Sequence, residues 1–157
     1  MLEADEIVGA EVQLVVFRLA SEEYCVDIQQ VREIIKVQDI TKVPKAPKFI
    51  EGVINLRGQI TPILDLRRRL DLPETEWGED TRIIVTELEK NIVGMIVDAV
   101  MEVNRLPEKD IDPTPTISTE VGSEFIKGVG KLGDRLLILL DLQKVLSKNE
   151  EKELEKI

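Results

Sequence analysis

Nucleophilic and metal chemistry near neutral pH leans on histidine and cysteine, and this chain of 157 residues has no histidine and one cysteine. Ser-His and Cys-His nucleophiles, His-ligated metals and phosphohistidine relays are excluded in one step. Cys25, between Tyr24 and Val26, reads as a small buried strand residue and not as a reactive thiol. Alone, it makes neither an intramolecular disulfide nor a thiolate cluster. Carboxylates are what remain. Asp65 and Asp141 are candidates for an acid and base in a hydrolase or transferase. Each, however, opens a short helix at the same place in an internal repeat, which is a capping role. No catalytic residue, metal or cofactor is assigned.

The net charge of −10 is uneven. Glu3, Asp5, Glu6 and Glu11 load the first segment, and Asp71, Glu74, Glu76, Glu79 and Asp80 load DLPETEWGED, neither stretch holding a base. The rest is close to neutral and gives no field for a phosphate backbone. A nucleic-acid-binding small β-barrel, the alternative use of such a fold, would want a basic face with exposed aromatics, and aromatics are only 3% of the residues. Lys42/Lys45/Lys48 and Arg67/Arg68/Arg69 read as a solvated loop and a solvated helix face. No apolar run reaches the roughly 18 residues of a membrane span, and the acidic start is unlike a secretory leader, so a cytoplasmic chain is expected.

The elements repeat. FIEGVINLRGQITPILDL (Phe49–Leu66) and FIKGVGKLGDRLLILLDL (Phe125–Leu142) align without a gap at an offset of 76 and match at eight of 18 positions. A weaker echo relates Val31-Arg32-Glu33-Ile34 to Val100-Met101-Glu102-Val103. With 43% hydrophobic residues and few aromatics, the core must be built from Val, Ile and Leu.

In the first half, Val12–Leu19 and Tyr24–Ile28 are strands about a polar turn, Asp27 caps a short helix over Ile28–Ile35, and Pro44 and Pro47 confine their segment to an edge or loop. Gly52–Leu56 and Gln59–Leu64 form a hairpin about Arg57-Gly58, and Asp65 caps a short helix through Leu70. In the second half, Arg82–Leu88 and Ile92–Val97 are strands, Val100–Arg105 follows, and 106–124 is irregular. Phe125–Leu132 and Arg135–Leu140 form the second hairpin, and Asp141 caps a C-terminal helix that frays into charged residues. The expected fold class is all-β: two tandem small barrels packed together, about 11–70 and 82–146, with 71–81 as an acidic linker and 147–157 as a helical tail. Trp77 is expected to plug the seam between the halves.

The string Gly52-Val53-Ile54-Asn55-Leu56-Arg57-Gly58, followed by Pro62 and Asp65 and preceded by YCVDIQQVREI, resembles the CheW family of bacterial chemotaxis coupling proteins, from about Glu11 to Leu146. The resemblance implies paired SH3-like five-stranded barrels without catalytic activity. It implies an adaptor, monomeric when free, between the cytoplasmic tip of methyl-accepting chemoreceptors and the regulatory domain of the chemotaxis histidine kinase CheA, at the membrane-associated receptor array. The kinase's own terminal domain and a receiver fusion share the family, but 157 residues leave no room for an ATP site or a receiver, so the free adaptor is expected.

Family positions carry the expected sites. Val31 and Glu33 match receptor-binding positions, and Val100, placed to line the groove between the barrels, and Arg57, singled out by the repeat, join them as expected receptor-binding residues, although Val31 and Val100 would serve equally as core residues and Glu33 as a surface acid. Gly52, Gly94 and Gly128 match coupling-sensitive positions, with a strand bend or close packing as the conformational alternative. Ile40 and Val43, on the Pro-punctuated segment, match the kinase-facing edge, where exposed apolar residues would suit a partner. Arg57 faces Gly133 in the repeat, so the turn does not need an arginine; a site is expected, against a plain ion pair with Glu33.

Overall fold

The computed structural model describes residues 10–74, 76–113, 123–146 and 150. Runs rich in Val, Ile and Leu become strands: β1 (Glu11–Leu19), β2 (Glu22–Asp27), β3 (Val31–Lys36), β4 (Ile50–Leu56), β5 (Gln59–Asp65), β6 (Arg82–Leu88), β7 (Asn91–Val97), β8 (Ala99–Pro107), β9 (Ile111–Asp112), β10 (Ile126–Leu132) and β11 (Arg135–Leu140). Two four-residue helices, α1 (Leu66–Arg69) and α2 (Leu142–Val145), follow the two hairpins. The carboxylates of Asp65 and Asp141 accept from Arg67 N at 3.0 Å and Gln143 N at 3.1 Å, as capping requires.

One sheet runs β3-β6-β7-β5-β4 and the other β8-β1-β2-β11-β10-β9. Each curls on itself. After β3 the chain returns to the far edge of its sheet, where Thr41 and Val53 exchange two hydrogen bonds of 2.9 and 2.8 Å. After β8 it returns as β9 and pairs with β10. The all-β, two-barrel fold class therefore holds.

The expected boundaries at 11–70 and 82–146 do not match sheet membership. β1 and β2 pair with β8 and β11 of the second half, while β6 and β7 pair with β3 and β5 of the first. The halves exchange hairpins. Their likeness survives the exchange: the Val16–Cys25 pair recurs as the Val85–Gly94 pair, 69 residues on. A repeat reports that two units are alike, not which copy of a strand pairs with which. The crossovers are Asp27–Gln30 and Asp98, so the acidic 71–81 stretch joins two elements of one barrel and is no inter-barrel linker.

The exchange explains the apolar runs. Leu14, Val16 and Cys25 point into one barrel, and Ile83, Val85 and Ile96 into the other. Their strand neighbours Val15, Phe17, Tyr24, Ile84, Met95 and Val97 fill a third, larger core between the sheets. Strands covered on both faces lose the polar alternation of a half-exposed sheet. Phe49 and Phe125 pack at matching places against that shared core.

Two local expectations change. Over Ile28–Ile35 only Ile28–Gln30 is helical, as a 3-10 turn with Gln29 N donating to Asp27 Oδ1 at 2.9 Å. Val31–Lys36 is strand β3, because pairing with β6 suits its β-branched residues better than a lone helix would. Trp77 plugs nothing; it is 42% exposed. The 147–157 tail, Glu150 apart, lies outside the described residues, as does 114–122 of the irregular connection.

Candidate functional site

β3 and β8 are matching strands, and each carries a bulge near its start, between Val31 and Glu33 and between Val100 and Glu102. The bulges turn Val31 and Val100 toward the shared core, where both are half-buried. Their core reading is thus satisfied, with part of each side chain still accessible. Glu33 sits on β3, not on a helix, and is held by Arg57 from the tip of the β4–β5 hairpin. Arg57 Nη1 donates to Glu33 Oε1 at 3.0 Å and Nη2 donates to Oε2. Arg57 and Gly58 both have positive φ (52° and 86°), the two-residue hairpin turn that follows the strand twist. The guanidinium hydrogen bond holds the Glu33 carboxyl below the usual glutamate range, and the Glu33 carboxylate in turn raises Arg57.

The glycines are spatial devices. A Cβ on Gly52 would stand 2.4 Å from Thr41 O and 2.6 Å from Ile40 Cγ2; one on Gly128 would stand 2.9 Å from both Asp112 O and Ile111 Cγ2. In each barrel a glycine lets the closing segment cross. Gly94 instead lies under Ile63 Cδ1 and Ile83 Cγ2, at 2.5 and 2.8 Å from such a Cβ. Ile40 and Val43 are not the exposed pair expected at a partner-facing edge. Ile40 packs on its barrel's core, and Val43 is half-buried, its carbonyl accepting from Ala46 N at 3.2 Å.

Apolar exposure lies elsewhere. Ile34 and Val103 are 37% and 50% exposed, Ile60 and Leu136 61% and 45%, and Met101 48%. Ile34 matches Val103 by the 69-residue offset and Ile60 matches Leu136 by the 76-residue one. Each barrel therefore shows apolar side chains on its edge strand and beside its hairpin tip. The repeat alignment held that signal, since both positions keep an apolar residue where a turn-flanking site needs none.

Arg67 corrects the reading of Arg67/Arg68/Arg69 as a uniformly solvated face. It is 1% exposed. Its Nε and Nη2 donate to Asp65 Oδ1 and Oδ2 at 3.1 and 2.9 Å, and Nη1 donates to Asp98 Oδ1 at 2.8 Å. Asp98 Oδ2 also accepts from Ala20 N at 2.7 Å. α1 of one barrel, the β7–β8 crossover and the β1–β2 turn of the other barrel are tied by one guanidinium.

These features define a two-barrel, hairpin-exchanged all-β architecture. The CheW-like domain family model matches residues 13–150. A chemotaxis protein CheW of Klebsiella aerogenes is 40% identical over 147 residues, covering 94% of this chain and 87% of that protein. That of Treponema pallidum is 38% identical, covering 88% and 84%. The crystal structure of the scaffolding protein TtCheW from Thermoanaerobacter tengcongensis superposes with a TM-score of 0.81 at 40% identity, covering 90% of this chain and 96% of that one. The chain belongs to the CheW-like family.

Proposed function

We propose that this protein is a non-catalytic chemotaxis adaptor that couples chemoreceptors to the chemotaxis histidine kinase. The observation that carries the reading is the recurrence of exposed apolar residues on both barrels. A bridge needs two faces, and Ile34/Ile60 and Met101/Val103/Leu136 supply one on each barrel. Val31, Glu33, Arg57 and Val100 form the receptor side, and Gly52, Gly94 and Gly128 act on coupling by setting the barrel seams. Ile40 and Val43 act on the kinase side by shaping the closing segment. The partners are the helical tip of a methyl-accepting receptor and the regulatory domain of CheA, met at the membrane-associated array by an otherwise monomeric protein. Among the described residues no helix is long and apolar enough to cross a membrane.

Reconstitution tests this. The protein, a receptor signalling fragment and the kinase should form a ternary complex in which receptor alters kinase activity only when the protein is present. Contacts of about 1,200 Å² or less, largely apolar, keep exchange fast. Kinase affinity should therefore stay within an order of magnitude as salt rises. Receptor control of the kinase without this protein would overturn the reading.

A further inference from the structure

The two barrels have matching notches where the strand after the hairpin meets the first 3-10 turn or its counterpart, and among the described residues only one notch is filled from within. In the β3–β7 barrel Arg67 fills it, its guanidinium seated on Asp65 and reaching Asp98. The matching residues in the other barrel are Asp141 for Asp65, Gln143 for Arg67 and Gln29 for Asp98. An acid is kept and the arginine is not. There the notch is an open pocket of about 460 Å³, floored by Val12, Leu139 and Leu140 and walled by Asp27, Asp141 and Gln143.

Its carboxylates outnumber its cations. The β2–β11 register pairs Cys25 with Leu139, and two residues beyond that pair Asp27 and Asp141 line the same pocket. In the filled notch the place of Asp27 belongs to Ile96, which pairs with Asp65. The open notch has therefore lost its internal cation but keeps two carboxylates, Asp27 standing in for the lost Asp98. Each of the two accepts one backbone N–H, from Gln29 at 2.9 Å and Gln143 at 3.1 Å. A carboxylate has about four lone-pair sites, so both keep acceptor capacity beyond that cap. At the rim Glu108 adds a negative charge and Lys127 a positive one. An apolar floor and two carboxylates suit a flat, weakly hydrated cation on an apolar stem.

We propose that this pocket binds an arginine side chain presented by a partner protein, which takes the place that Arg67 holds in the other barrel. The pocket shares no lining residue with the Val31/Glu33/Arg57 set, and the proposal goes beyond the adaptor reading.

Titrating the labelled full-length protein with N-acetyl-arginine amide, followed by NMR, tests it, with the lysine amide as control. Saturable shifts should appear at Asp27–Gln30 and Leu139–Gln143, with a dissociation constant of about 1–10 mM. The lysine amide should bind at least severalfold more weakly, since an ammonium cannot pair bidentately. Asp27→Asn and Asp141→Asn keep a capping side chain while removing charge, and each should weaken arginine binding severalfold. Gln143→Arg should supply the guanidinium internally, abolish the response and raise Tm. Absence of saturable shifts, equal response to lysine, or unchanged binding in all three variants would overturn the proposal. Shifts in 114–122 on mutating Asp141, without a response to the arginine amide, would assign the pocket to the chain's own segment and overturn it as well.

Discussion

Each barrel closes its edge strand against its hairpin with a Glu–Arg pair, but the two pairs are built differently. In one, Glu33 meets Arg57 at the turn itself, and the Arg57 side chain is 71% exposed. In the other, Glu102 matches Glu33, yet its partner is Arg135, two residues beyond Gly133. Arg135 also binds Glu23, donating to Glu102 Oε1 and Glu23 Oε1 at 2.7 Å each. The expectation that Gly133 serves as a control for Arg57 therefore fails: the second barrel has its arginine, displaced along the strand. The difference lies in what the arginine is tied to. Arg135 joins β11, β8 and β2, while Arg57 joins only its own turn to β3 and stays in solvent.

The largest effect should come from the seam that has no counterpart. Removing Arg67 leaves Asp65 (3% exposed) without its cation, and breaking such a buried pair costs about 3–5 kcal/mol. Arg67→Met should lower the denaturation midpoint accordingly. Gln143→Met, at the matching place, should change it little. Equal effects would mean that the two seams are alike after all.

The closing glycines come next. Gly52→Ala drives a methyl into the Thr41 carbonyl, which is itself bonded to Val53 N at 2.8 Å, so backbone must move. Gly94→Ala meets only side-chain ends, which can turn aside at an overpacking cost of about 1–3 kcal/mol. Urea melts should rank Gly52→Ala as more damaging than Gly94→Ala, with Gly128→Ala, whose contacts are 2.9 Å, between them. A reversed order would show that the closing segment yields more readily than the core.

Cys25 occupies the place of Gly94 in the other barrel. Burial pushes its thiol up to about 12. Its folded value lies above the unfolded one near 9, so the neutral thiol's contribution is whole below that value and is lost as pH rises toward about 12. Cys25→Ala should flatten stability between those limits, and native Cys25 should resist alkylation until the protein unfolds.

Much of this was legible from residue order. Both hairpins, both aspartate caps, the burial of Cys25 and the matched positions of Phe49 and Phe125 follow from local turn chemistry and an ungapped repeat. Hairpin exchange was not, because pairing partners are set by chain direction after Asp27 and Asp98, which a repeat cannot report. β3 was misread as helix because Ile28, Val31 and Ile34 fall at helical spacing, while the bulge that breaks strand alternation leaves no composition signal. Arg67 was hidden among three arginines of which it alone is fully buried, and Ile40 was hidden by a proline-rich setting that suggests exposure. The proposed site residues rest on the family motif and, for Arg57, on the repeat, whereas the exposed apolar pairs and the open notch needed both barrels in view.

The smallest expected change in stability is at Arg57, and it sharpens the comparison most. An exposed pair at a strained turn adds little to folding, so Arg57→Ala should leave Tm nearly unmoved, while Arg135→Ala, which frees two glutamates on two strands, should lower it by a few degrees. The Glu33 carboxyl is held below its ordinary value near 4.5, so the pair's contribution is complete above that value and is lost as pH falls through the lowered folded value. Arg57→Ala should erase that small acid-side slope. Coupling should sort the other way: without Arg57 to orient it, Glu33 loses its fixed geometry on β3, and receptor control of the kinase should weaken although the protein melts as before. Arg135→Ala should leave control intact at temperatures where the protein is folded. A large Tm drop with normal coupling in Arg57→Ala would make its pair a structural clasp like that of Arg135, and the two barrels would then differ only in where the arginine is placed.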